Sequence, residues 1–168
     1  SRELGFVGGV SLKDFGDVRG GDSVGRQKHT GYREQDNDAR VAYHPDENST
    51  FTIGHQSVSQ DDAWRTHRTL YGIDWRGLKR GDDKVNTYDQ TRQLTYLKFR
   101  ADSLDHDVVD RLEATVSHHA QHEDNIRVKR DDTSEEQGFD VRTWGASLQL
   151  ESDTAAGRYL DRRKGNGG

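Results

Sequence analysis

The chain has 168 residues, a formal net charge of −5 from 30 acidic and 25 basic side chains, and only 29% hydrophobic positions. An ordinary soluble domain is roughly 45–50% apolar with glycine counted, so the composition argues against a thick globular core, and the acidic balance argues against a broad basic surface for nucleic acid. Neither Cys nor Met occurs, which excludes a disulfide framework and a cysteine nucleophile, and no run approaches the roughly 18 apolar residues of a membrane-spanning helix.

The predicted elements, in chain order, are strands of period two. Leu4, Phe6, Gly8, Val10 and Leu12 form one face of a strand over 3–14. A loop over 15–30 follows, bearing Gly16, Gly20, Gly21 and Gly25. It has no GK[ST] and no strand–helix context for a phosphate loop, so its glycines read as turn residues. The strand over 31–44 carries Ala39, Val41 and Tyr43 on one face and Arg40 and Ala42 on the other. His44 to Thr50 is a compact turn around Pro45, Asp46 and Asn48, leading into a strand over 50–60 with Phe51 and Ile53 in phase. The longest polar stretch, 61–89, comes next. Strands over 90–102 and 107–120 carry Leu97, Phe99 and Ala101, then Leu112, Ala114 and Val116, joined by a turn near 102–107. Val108 to Val116 also has some helical character. A third loop is expected over 121–136, where Arg127 to Asp132 is almost entirely charged. The strand over 137–151 holds Trp144, Ala146, Leu148 and Leu150, and a turn at 151–156 leads to a last strand at 156–163. Ser1 opens directly on a strand pattern and 164–168 read as loop, so both ends are expected to be cuts inside something larger.

Loops beyond about 12–15 residues are uncommon in compact domains, yet three fall on one side of this meander. The strands exceed the usual length of about 5–6 residues and match the roughly 9–11 that a tilted strand needs to cross a bilayer. Short turns on one side and long loops on the other are the arrangement of outer-membrane barrels. Tyr43, Phe51 and Phe99 fit an aromatic girdle. The opposite face, with Arg40, Arg111, Glu113 and Arg142, meets water in a soluble sandwich or a wet lumen in a barrel, and the pattern alone separates neither. The expected fold class is all-β: an antiparallel up-and-down meander of six or seven long strands, part of a transmembrane β-barrel.

Several segments carry a resemblance. Val10-Ser11-Leu12-Lys13-Asp14-Phe15-Gly16-Asp17-Val18-Arg19-Gly20-Gly21 and Gly31-Tyr32-Arg33-Glu34-Gln35-Asp36 resemble the barrel of TonB-dependent outer-membrane receptors. His55-Gln56-Ser57-Val58-Ser59-Gln60-Asp61-Asp62, followed by Arg65-Thr66-His67-Arg68-Thr69, is similar as well, and so is Tyr88 to Leu97. The resemblance covers 8–100 and continues to about 160 through strand rhythm. It implies a segment of a receptor in the bacterial outer membrane that imports a scarce ligand such as a ferric siderophore. It also implies partners: the rest of the barrel, a plug domain, a TonB-type energy-transducing protein engaging a box absent here, and lipid or detergent on the apolar face. No cofactor, no nucleic acid and no enzymatic activity are expected, and the piece alone is expected to be inactive. The alternative is a soluble or small-barrel β protein acting as a ligand- or protein-binding module.

Residues of the long loop are the ligand-binding candidates: Trp64, Arg65, His67, Arg68, Tyr71, Trp75 and Arg76. Arg offers a rigid fork of donors for carboxylate or phosphate, and Trp offers broad apolar contact. Loop packing is the competing role. His118, His119, His122 and Asp124, with Glu123 beside them, are weak metal candidates by residue type. On a strand, however, His118 and His119 point to opposite faces, and the spacing is not the helical HExxH. Asp61-Asp62, Asp82-Asp83 and Asp131-Asp132 lack the ligand order of a calcium loop. Ser57 or Ser59 with His55 and Asp61 has the residue types of a hydrolytic trio, but along one strand His55, Ser57 and Ser59 share a face with their side chains beyond hydrogen-bond reach.

Overall fold

The computed structural model describes residues 3–21, 24–104 and 109–152. Six strands follow one another: β1 (Glu3–Phe15), β2 (Tyr32–His44), β3 (Ser49–Trp64), β4 (Val85–Asp102), β5 (Arg111–Val128) and β6 (Ser134–Glu151). Each pairs antiparallel with the next, in the order β1-β2-β3-β4-β5-β6. The up-and-down meander read from the alternation is therefore present. The helical look ahead of Val116 gives way to strand from Arg111, where every residue finds a ladder partner on both β4 and β6.

The register stacks like with like. Leu4, Tyr43, Phe51, Phe99, Ala114 and Leu148 form one row across the sheet, and Phe6, Val41, Ile53, Leu97, Val116 and Ala146 form the next. The rings of Phe51 and Phe99 lie 4.7 Å apart; a cross-strand aromatic pair of this kind contributes about 0.2–1 kcal/mol. The other face is charged and cross-linked. Lys13 donates to Glu34 and Asp36, both at 2.5 Å, and Lys98 pairs with Glu113 at 2.7 Å. Asp102 accepts from Arg100 at 2.8 Å and from Arg111, and these guanidinium groups hold its carboxyl down to about 2. The sequence reading puts Arg142 on this charged face. The register instead puts it two residues from Trp144 on the opposite face, in a row with Ser57, Gln93 and Ala120.

Among the described residues the sheet is a single layer that does not close. Among the described residues Ala101 is the buried hydrophobic side chain, at 7% exposure, whereas Phe6 is 75% exposed. β1 and β6 end the strand order and each pairs with one neighbour. Open edges were expected of the chain alone, but the transmembrane β-barrel itself is corrected by this geometry. The apolar rows are those of Phe99 and Leu97, which are apolar across every inner strand, and that of Ala101, which is apolar on β4 and β5 and holds Ser49 on β3. At two residues per row they span about 14 Å, against the roughly 25 Å apolar band of an outer-membrane barrel. Above them the same face carries His55, Thr95 and His118, then Asn37, Ser57 and Gln93, then Gln35, Ser59 and His122.

The connections 45–48 and 103–110 lie at one end of the sheet, and 16–31, 65–84 and 129–133 at the other. The third long loop, expected over 121–136, is instead a five-residue turn after a continuous β5. Its polar residues stay in the strand because both faces there are open, so no desolvation cost pushes them out of the ladder. The central loop is shorter than 61–89 for a similar reason. β3 continues past a register shift between Gln60 and Ala63, where Asp62 adopts a φ of 57° and donates its N–H to Asp89 Oδ1 at 2.8 Å. The turn expected at 151–156 and the strand at 156–163 fall outside the described residues from position 153 onward.

The open edges generate a test by amide hydrogen exchange. Ile53 and Leu97, paired on both sides, are expected among the slowest-exchanging amides. The outward amides of β1 and β6 are expected to exchange fastest within strands. Outward amides of β1 and β6 as protected as those of β3 and β4 would show that their edges are paired.

Candidate functional site

The 65–84 loop is a folded unit anchored to the strand ends beneath it. Arg65 donates its N–H to the Asn86 carbonyl at 2.9 Å, and Lys84 donates to Val128 at 2.7 Å. A 3₁₀ turn over Thr66–Arg68 is followed by Thr69, whose hydroxyl donates back to the Thr66 carbonyl at 2.8 Å. The two arms of the loop then meet: Leu70 N–H donates to Asp83 O at 2.9 Å, Asp83 N–H to Arg68 O at 3.2 Å and Gly81 N–H to His67 O at 2.8 Å. Only glycine fits at position 81, because a Cβ would run into the Arg68 carbonyl.

Asp83, 2% exposed, is the pin of this unit. Its carboxylate accepts Nε and Nη2 of Arg127 from β5 at 2.9 Å and Nδ2 of Asn86 at 3.0 Å. The same contact raises the pKa of the Arg127 guanidinium above its usual value. A buried carboxylate is tolerated only when paired in this way.

The loop packs against the β1–β2 connection through aromatic rings. His29 stacks on Trp64 with centroids 4.3 Å apart and planes at 25°, and Tyr71 completes the cluster, 4.3 Å from His29 and edge-on to Trp64 at 6.0 Å. The Thr66 hydroxyl donates to the His29 carbonyl. Beside this stack opens a cleft of about 540 Å³ lined by Asp17, Arg26, Lys28, His29, Gly31, Asp62 and Trp64. Two of its charges satisfy each other: Arg26 Nε donates to Asp17 Oδ2 at 3.0 Å. Asp17 also accepts the N–H groups of Thr30 at 3.0 Å and Gly31 at 3.3 Å, and these bonds, Thr30's first, lower its carboxyl pKa. The Lys28 ammonium and the Asp62 carboxylate have no partner among the described residues.

The sequence candidates therefore separate. Trp64 and Tyr71 hold the loop against His29, and Arg65 lies 4.0 Å above the Tyr88 ring. His67 and Arg68 border a second cavity of about 330 Å³ with Lys79, Asp82 and Arg127. Trp75 and Arg76 stand at the far tip, where Trp75 and Leu78 exchange backbone hydrogen bonds at 3.0 and 2.9 Å. Sequence reasoning missed His29 and Lys28, which come from a different loop and carry no local signal of their own.

The metal candidates are not gathered. His118 packs on Trp144 at 4.7 Å, while His119 accepts from Arg92 Nε at 3.0 Å on the opposite face. His122 lies between Asp140 and Asp124, each at 3.0 Å. No group of three such side chains among the described residues is placed to hold a metal. The hydrolytic trio does not assemble either: Ser59 donates to Asp61 at 3.4 Å, but His55 Nδ1 bonds Thr95 at 2.8 Å.

No family model, no curated protein and no solved structure matches this chain. With the sheet open, the resemblance to TonB-dependent receptors is corrected, and with it ferric-siderophore import, the plug domain and barrel remainder, the TonB-type partner and lipid on the apolar face. The segments quoted for that resemblance, Val10 to Gly21, Gly31 to Asp36, His55 to Thr69 and Tyr88 to Leu97, are strand and loop stretches of an open meander here, and the strand rhythm that extended it is shared by any long-stranded meander.

Two tests follow from this geometry. Asp83→Ala removes the pin and is expected to cost about 2 kcal/mol of charged hydrogen bonding, read as a Tm lowered by about 5 °C together with faster exchange of the Leu70 amide. For His122, the Asp140 and then the Asp124 carboxylates raise the imidazole pKa. Its contribution to stability is therefore complete below the unfolded value near 6.5 and is lost as pH rises through the folded one. Thermal melts between pH 6 and pH 8 should show a falling Tm that is flattened in His122→Asn; identical pH slopes would remove His122 from this role.

Proposed function

We propose that the chain is a β-sheet binding module that takes a small aromatic zwitterion in the cleft between the β1–β2 and β3–β4 loops. The observation that carries this reading is the pair of opposite charges without partners among the described residues, Lys28 and Asp62, lining the same cleft as the stacked rings of His29 and Trp64. The cleft volume of about 540 Å³ falls in the range of small-molecule sites, roughly 300–1,000 Å³. Trp64 gives a flat apolar surface for a ring. Lys28 offers an ammonium to a carboxylate, and Asp62 a carboxylate to an amine. A ligand with all three features leaves no charge in the cleft unpaired, whereas a simple anion leaves Asp62 facing it.

L-Phenylalanine, benzoate and benzylamine separate the contributions when titrated against the chain, with the Trp64 indole N–H resonance as the reporter. Phenylalanine is expected to bind most tightly. Lys28→Ala should weaken phenylalanine and benzoate, and Asp62→Asn phenylalanine and benzylamine, each by about tenfold. No saturable shift with any of these probes at millimolar concentration would remove the cleft as a ligand site.

A further inference from the structure

The distal end of the 65–84 loop is a preformed hairpin finger, and its surface is unlike the rest of the chain. Arg76 and Gly77 have φ angles of 45° and 86°, the two left-handed residues of a type I′ turn, closed by the paired Trp75 and Leu78. The finger is braced below the turn. Asp74 accepts the Arg80 N–H at 2.8 Å and Lys79 Nζ at 3.2 Å, and Arg80 Nη1 donates to the Leu70 carbonyl at 2.8 Å. Its shape is therefore set before any partner arrives, which lowers the ordering cost of binding.

The braced shape holds apolar side chains outward. Trp75 is 55% and Leu78 70% exposed, and Tyr71 and Ile73 are also exposed. The Arg76 guanidinium lies 4.7 Å above the Trp75 ring. Between Leu70 and Arg80 the cations Arg76, Lys79 and Arg80 outnumber the single carboxylate of Asp74, in a chain of net charge −5. Exposed Trp and Arg side by side are the composition of interface hot spots, and a positive apolar tip is complementary to a negative apolar pocket.

We infer that this finger docks into a protein partner through an apolar pocket rimmed by carboxylates, with Trp75 and Leu78 entering the pocket and Arg76, Lys79 and Arg80 meeting the rim. A lipid surface fits less well, because the apex is Arg76-Gly77 and insertion would drive the guanidinium into hydrocarbon ahead of Trp75. A nucleic acid fits less well, because the cations end at Arg80 and Asp82 and Asp83 follow, so no basic track continues along a phosphate backbone. The finger residues are separate from the cleft that holds Lys28 and Asp62, so this inference stands apart from the small-ligand reading.

The test uses immobilised synthetic peptides of three compositions: Glu with Leu and Phe, Lys with Leu and Phe, and Glu with Ser. Phosphatidylserine vesicles and a single-stranded oligonucleotide serve as the other arms. The chain is expected to bind the Glu/Leu/Phe peptides alone. Trp75→Ser and Arg76→Glu should each weaken that binding by about tenfold or more, while Lys28→Ala leaves it unchanged. Unshifted Leu70 and Asp83 amide resonances in both finger variants would establish that the loop base is intact. The inference is overturned by equal binding in the finger variants, by no binding of the Glu/Leu/Phe peptides, or by tighter binding to vesicles or oligonucleotide.

Discussion

The antiparallel ladder from β1 to β6, interrupted only by the shift between Gln60 and Ala63, is the interaction on which the rest of this structure depends. A domain of this length normally rests on a packed interior, but here Ala101 is the buried apolar side chain among the described residues. Backbone pairing and cross-strand side-chain rows take over that role. The ladder also fixes orientation. With a period of two, one register decision at each strand pair sorts Phe51, Phe99 and Ile53 to one face and Lys98, Arg100 and Glu113 to the other.

The same ladder positions the loop end. β3 delivers Trp64, β4 begins at Val85, and β5 brings Arg127 beneath the loop, so the Asp83 carboxylate meets a guanidinium presented by a rigid strand. That pairing holds the two arms of the loop together, which in turn sets Trp64 and Tyr71 against His29 and projects the finger beyond them. Both proposed recognition surfaces, the cleft and the fingertip, therefore trace back to the buried Asp83 carboxylate, its half-buried Arg127 partner and the strand register beneath them.

The strands were legible because alternation is a local signal: Leu97, Phe99 and Ala101 reveal their face without knowledge of any partner. The distal half of β5 was not legible. Gln121 to Val128 is polar at nearly every position, and a strand open on both faces has no apolar phase to read. Closure was equally illegible, since neither alternation, strand length nor the segments that resembled a barrel wall reveal whether the first and last strands meet. At the loop end, Trp75-Arg76-Gly77-Leu78 did carry a readable sign, a two-residue turn ending in glycine between apolar neighbours. Asp83 looked like its neighbour Asp82, and burial of one rather than the other is decided by where Arg127 arrives. His29 could not be paired with Trp64 from sequence, because 35 positions and a strand pair separate them.

The central claim is that the 65–84 loop is a folded recognition element rather than a flexible connection. Backbone ¹⁵N relaxation measures this directly. The account predicts order parameters near 0.85, the value of rigid backbone, for Thr69, Leu70 and Asp83 and also for Trp75 and Leu78 at the tip. Values below about 0.6 across 65–84, with β3 and β4 remaining rigid, would contradict it.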